Sequence, residues 1–308
     1  MTTPAIFQGP IFAPGSFWTQ PIPASAPLHP NTANFVAEFA RQKAAYYNTV
    51  GINHKAYCAP IYIAPDGAAT QKVTAPSPVY PVLQKQWMDV PIPTYAQAAD
   101  GSDMEMAIYQ PSTDSYWEFW QMQQNPDKTW HARWGGGMSG ASKSIGIWSN
   151  TLGTTATSLP FAGGQITASE LQAGQIKHAI GIALVDCEAS GIFSWPAMRS
   201  DGLNPGNAPN RIPEGLRFRL DPTVVVDTLP VHPVGKTILR AAQTYGFVVW
   251  DKSGAIGMRF LNSKSYTQVG LADPYPALFG STPDYAIMNG APWNRLQFLP
   301  MNYGLPAA

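Results

Sequence analysis

The chain has 308 residues with 19 basic and 19 acidic side chains, and only 12% of its residues are charged. Zero net charge excludes the basic field that draws proteins onto nucleic acid by counterion release. Thirty prolines, about twice the usual share, together with 12% aromatic residues, point to a loop-rich, β-rich protein.

The first thirty residues carry seven prolines and no periodicity. They are expected to form an extended arm that lies against another surface. The opening MTTPAIFQGPIFAPGSFW lacks the basic and apolar regions of a secretory signal, so no export by the general secretory route is expected. A helix is predicted over 31–47, capped by Asn31 or Thr32, with Phe35, Val36, Phe39 and Ala40 as its apolar stripe. From 56 to 95, short β-branched and aromatic runs are cut by prolines, which confines them to edge or irregular strands. The segments 104–110, 115–122 and 130–134 read as strands separated by the turn signals PSTD and QNPDKT.

TASE at 167–170 has capping-box spacing, which predicts a short helix there. A strand over 176–184 would put Ile176, His178, Ile180, Ile182 and Leu184 on one face, and 216–220 alternates in the same way. A second long helix is predicted over 232–246, with Pro233 in its first turn and Gly246 past its end. Residues 247–260 read as a hairpin turning at DKSG, and the tail from 261 returns to loop. The expected fold is mainly β: a jelly-roll or concanavalin-like sandwich with a few peripheral helices. It divides into 1–50, arm plus helix, and 51–308, the β-sandwich with an irregular tail. No run of about 18 apolar residues is present, so no membrane span is expected.

Familiar chemical motifs are scarce. GKT at 235–237 lacks the phosphate-loop glycine, Pro230 standing in its place, and it lies inside a helix pattern. The five histidines have no metal-ligand spacing, so neither a metal nor a cofactor is expected. GGGMSG at 135–140 reads as a loop needing close backbone approach. Cys58 and Cys187 sit in apolar runs and are expected to be buried free thiols.

The densest feature is SYWEFWQMQQNPDKTWHARWGGG, which holds Trp117, Trp120, Trp130 and Trp134. In strand phase Tyr116, Glu118, Trp120 and Met122 share one face, and Trp117, Phe119 and Gln121 the other. One face can fill the core. The other needs a second layer or a ligand, and both readings stand at this point. Glu118 could be a buried carboxylate of raised pKa, or the partner of Arg133 on the next strand. His178 could be a hydrogen-bonded core histidine or a general base.

SLPFAGGQITASELQAGQIKHAIGIAL, SWPAMRSDG, IPEGLRFRLDP and ILRAAQTYGFVVWDKSG occur in that order, after the D..YWEFW…W.A.WGG segment. Over roughly 55–265 this series resembles an uncharacterised β-rich domain. That domain is shared by actinobacterial secreted proteins and by minor tail proteins of actinobacterial, including mycobacterial, phages. The resemblance implies a carbohydrate-associated β-domain, and it brings forward His178 in the HA pair and Arg199 in PAMRSDG. With no signal peptide, it implies a virion protein at the tail tip. Its partners would then be other tail proteins, in an oligomeric assembly, and a host cell-wall glycan.

The candidate glycan-binding residues are Trp120, Trp134, Glu118, His131, Arg133, Arg199 and Asp201. Trp117 and Phe119 are assigned to the core. The alternative is a glycan-degrading enzyme, a lyase or hydrolase, with Glu118 and His178 as its catalytic groups.

Overall fold

The computed structural model describes residues 4–76 and 80–306. The first three residues of the arm, positions 77–79 within the proline-cut stretch 56–95, and the last two residues lie outside the described part. Among the described residues, three sheets organise the chain. Helical residues (23%) slightly outnumber strand residues (20%), so the β character lies in the sheets that frame the core rather than in strand content.

Helix α1 (Thr32–Ala45) forms where predicted and buries Phe35, Phe39 and Gln42 along one stripe. Phe35 meets Phe298, and Phe39 meets Phe218 and Trp293. Asn31 holds the N-cap position, but its side chain donates to Asn210 Oδ1 instead of capping. The next elements are β1 (Gly51–Asn53), β2 (Ile61–Ile63), β3 (Val73–Thr74) and helix α2 (Pro81–Gln86). Then come β4 (Met106–Gln110), β5 (Ser115–Trp120), β6 (Gln123–Gln124), β7 (Trp130–His131) and β8 (Trp134–Ser139). Two short helices, α3 (Phe161–Gly164) and α4 (Ala168–Gln172), lead to β9 (Ile180–Leu184) and β10 (Arg217–Leu220). Helix α5 (Pro233–Thr244), β11 (Phe247–Lys252), β12 (Gly257–Arg259) and β13 (Leu296–Phe298) complete the frame. The capping box at the start of α4 is present, Thr167 and Glu170 bonding reciprocally.

The largest sheet runs β1-β12-β9-β11-β10-β13, and a second runs β2-β4-β5-β8. Strands β1 and β12, β9 and β11, and β2 and β4 pair in parallel. These parallel pairs depart from the all-antiparallel sheets of the expected jelly roll. The predicted 247–260 hairpin is also replaced, because β9 lies between β11 and β12 and pairs with both. The reason is burial. All five residues of β9 are buried, so it needs a strand on each edge and packing on each face. His178 precedes the strand instead of lying on one of its faces.

The aromatic segment is re-paired as well. Strand β5 pairs with β8, in the register Trp117↔Gly137, Glu118↔Gly136, Phe119↔Gly135 and Trp120↔Trp134. β6 and β7 form a separate small hairpin with β3 alongside. The glycine run is therefore strand, not loop. A Cβ on Gly136 would come within 2.9 Å of the Trp148 ring, and one on Gly137 within 2.9 Å of Trp117. Glycine lets indole rings lie flat against this strand.

The arm is built into the core. Phe7, Phe12, Phe17 and Trp18 are buried in the same cluster as Phe161, Trp250 and the β9 residues. Trp18 Nε1 donates to the Gly146 carbonyl at 2.9 Å. Both cysteines are buried and free, and burial pushes both thiols up. Among the described residues, no helix is long and apolar enough to cross a membrane.

Candidate functional site

A cleft of about 420 Å³ opens where the end of the four-stranded sheet meets β11 and β12 of the larger one. Trp120 and Trp134, directly opposed in the β5–β8 register, form one wall and are half-buried. The loop carrying Arg199 and Asp201 adds the rim, and Asp103, Glu105, Asp251, Lys252 and Arg259 line the rest. The sequence candidates Trp120, Trp134, Arg199 and Asp201 are thus brought together from positions up to 81 residues apart.

Each aromatic wall is held by polar neighbours. Trp120 Nε1 donates to Asp103 Oδ1 at 3.2 Å, and the Arg133 guanidinium lies 5.9 Å from the Trp120 ring centre. The Arg199 guanidinium sits 5.7 Å from the Trp134 ring centre and donates to the carbonyls of Gly153 and Thr155. Burial lowers the pKa of Arg199 against its nearby carboxylates.

The floor is an ion-pair network joining the two sheets. Arg259 Nη1 bonds Glu105 Oε1 at 2.8 Å, and its Nη2 bonds Asp251 Oδ2 at 2.7 Å. Its guanidinium also lies against the rings of Phe161 and Trp250. Burial pushes the Glu105 carboxyl up to about 7, with Arg259 opposing. Burial raises Asp251 too, against Arg259 and the backbone N–H groups of Ala156 and Lys252. Behind the rim, Glu214 accepts from the Asp201 backbone N–H at 3.0 Å, and burial pushes it up to about 8. Among the described residues, Glu105 Oε2, Trp134 Nε1 and Arg199 Nε are buried without partners, as are nine side-chain atoms elsewhere, the indole N–H groups of Trp87, Trp130, Trp148 and Trp250 among them. Polar atoms left so are uncommon in protein interiors and call for an explanation.

The other sequence candidates lie elsewhere. Glu118 is fully buried behind the cleft wall. It accepts from Tyr116 Oη at 2.7 Å, from Thr154 Oγ1 at 2.9 Å and from the Phe161 backbone N–H. It does not pair with Arg133, which is exposed and bonds Gln121 Oε1 at 3.5 Å. The register explains this, because Glu118 opposes Gly136 and points into the protein. His131 stands on β7 in the small third sheet, opposite Gln123, and does not line the cleft. His178 is wholly buried, with Nδ1 2.8 Å from the Ala179 carbonyl and Nε2 3.1 Å from Glu170. Burial lowers the His178 pKa, but Glu170 outweighs it and the net direction is up. His178 faces Glu170 away from the cleft, its Nε2 without a well-formed hydrogen bond, and neither Glu118 nor His178 lines the cleft.

The residues the sequence reading passed over are Asp103, Glu105, Asp251 and Arg259. A faint signal exists for two of them. Glu105 interrupts an apolar strand start between two methionines, and Asp251 follows FVVW directly.

No family model, curated protein or solved structure matches this chain.

Proposed function

We propose that the chain is a minor tail protein of an actinobacterial phage and that its Trp120–Trp134 cleft binds a glycan of the host cell envelope. The tail assignment is supported by the ordered sequence motifs alone. The glycan reading is supported by the cleft. Sugar rings present apolar faces and a rim of hydroxyls, and a site for them combines flat aromatic surface with fixed donors and acceptors. Here two half-buried indoles supply the surface. The observation that carries the reading is the pair of half-buried indoles opposed in the β5–β8 register, with the Arg199 guanidinium over Trp134 and Asp103 accepting from Trp120 Nε1 at the same cleft.

Sedimentation with purified mycobacterial cell walls tests the binding. Wild-type protein should pellet with the walls. Trp134→Ala and Trp120→Ala should stay in the supernatant with a near-normal melting temperature. Equal pelleting of both variants would remove the cleft from recognition. Labelling of virions with antibody against the chain tests the tail assignment, and absence of label from the tail would refute it.

A further inference from the structure

Arg259 binds two carboxyl groups through the two terminal nitrogens of one planar guanidinium, so Glu105 and Asp251 sit side by side at the cleft floor. The two are not equivalent. Asp251 takes three donors: Arg259 Nη2, Ala156 N and Lys252 N. Glu105 takes one, and its Oε2 is buried without a partner although the residue lines the cleft. A carboxyl with many donors favours the ionised form, and one with few in a dry site favours the acid. Glycosidic hydrolysis needs this division between two neighbouring carboxyls.

The cleft also continues. A second trough of about 540 Å³ shares Asp103, Lys252 and Arg259 with it. The far side of that trough carries Tyr47 and Tyr57, 80% and 44% exposed. Both tyrosines hold left-handed backbone, with φ of 63° and 56°. Bulky residues rarely adopt that conformation, and such strain collects at functional sites. The floor therefore has aromatic surface on both sides, which suits a chain lying across it better than a chain end. The lining carries four carboxyl groups and three basic groups, so it does not attract an acidic polymer. That argues against the uronate substrates of lyases.

We infer that this cleft hydrolyses internal glycosidic bonds of a neutral polysaccharide, with Glu105 as general acid and Asp251 as general base. Glu105 gives its proton to the glycosidic oxygen as the bond from that oxygen to the anomeric carbon breaks. A water molecule adds to the anomeric carbon and gives its proton to Asp251. The products are two shorter chains, one with a new reducing end, and water is the only co-reactant. This inference rests on the glycan reading above and extends it from binding to cleavage.

The test uses the full chain and purified mycobacterial arabinogalactan, following reducing ends and chain size, with wall sedimentation in parallel. Wild type should release reducing ends while the polymer shortens to oligomers. Glu105→Gln and Asp251→Asn should each lose about a hundredfold or more of the rate. Turnover by wild type should decline as pH rises past about 7, where Glu105 loses its proton. The groups facing Glu105 in that titration are Arg259, Asp103, Asp251 and Glu118, with Cys58 nearby. The profile keeps the test decisive if a variant fails to fold.

Wild type that pellets with walls yet yields no reducing ends would overturn the cleavage and leave the binding standing. So would full activity in Glu105→Gln, and unsaturated products would replace hydrolysis with elimination. Absence of wall binding and of turnover would overturn both readings.

Discussion

Two buried glutamates in neighbouring regions have the same displaced acidity and different circumstances. Behind β5, Glu118 is pushed up to about 7 by burial, and at the cleft floor Glu105 is pushed up to about 7 by burial. Glu118 accepts hydrogen bonds from a tyrosine, a threonine and a backbone N–H, and it ties β5 to the 154–161 segment. Glu105 has one partner and an oxygen with none, at the edge of a cleft. A shifted acidity alone therefore does not locate a site. The distinguishing property is whether the protein itself uses the group's hydrogen-bonding capacity. Glu118 is structural because its capacity is spent internally, and Glu105 is left with capacity for a ligand.

The comparison can be broken most visibly in the interior. Phe119→Ala removes a fully buried ring that packs on Trp87 at 5.1 Å, and it should cost about 3–5 kcal/mol in urea unfolding. Glu118→Ala strands two buried donors and the half-buried Thr154 hydroxyl, and should cost about 3 kcal/mol. A cost under about 1 kcal/mol would mean that water or another group satisfies them, and the contrast with Glu105 would fail.

The pH dependence sharpens the same contrast. Both glutamates have folded pKa values above the unfolded value of about 4.3, so the native state holds their protons more tightly. The stability each contributes is present below the unfolded pKa and is lost as pH rises through about 7. Urea midpoints of wild type should therefore fall further between pH 5 and pH 8 than those of Glu118→Gln or Glu105→Gln. Parallel midpoints in wild type and both variants would show that these carboxyls ionise normally. The smallest stability effect is expected in the cleft wall. Trp134→Ala should cost about 1 kcal/mol, because the ring is half-buried and borders open space.

What was legible in the sequence was local. The stripe in α1, the capping box of α4 and the proline-started α5 each depend on residues within a few positions of one another. Trp120, Trp134, Arg199 and Asp201 line one cleft, but strand phase did not separate it from the core: Tyr116 and Glu118 share the Trp120 face and are wholly buried, while Trp117, assigned to the core, is half-buried. Pairings between distant segments were not legible. Nothing local says that β9 divides β11 from β12, or that Gly135–Gly137 are strand so that Trp117 and Trp148 can lie on them. The Glu105–Arg259 pair spans 154 residues, and its members look like ordinary surface charges until the sheets meet. The arm was read as a surface strap because proline hides periodicity, yet its aromatics fill the core.

The central claim is that the Trp120–Trp134 cleft is the ligand face, and the chain's ten tryptophans offer a direct way to examine it. Indole N–H resonances of the 15N-labelled protein, assigned by single substitutions, can be followed while size-fractionated mycobacterial arabinogalactan oligosaccharides are added. The account predicts that Trp134 and Trp120 shift in a saturable way while the buried Trp18, Trp87 and Trp250 hold their positions. Saturable shifts confined to other tryptophans, with Trp120 and Trp134 unmoved, would contradict it.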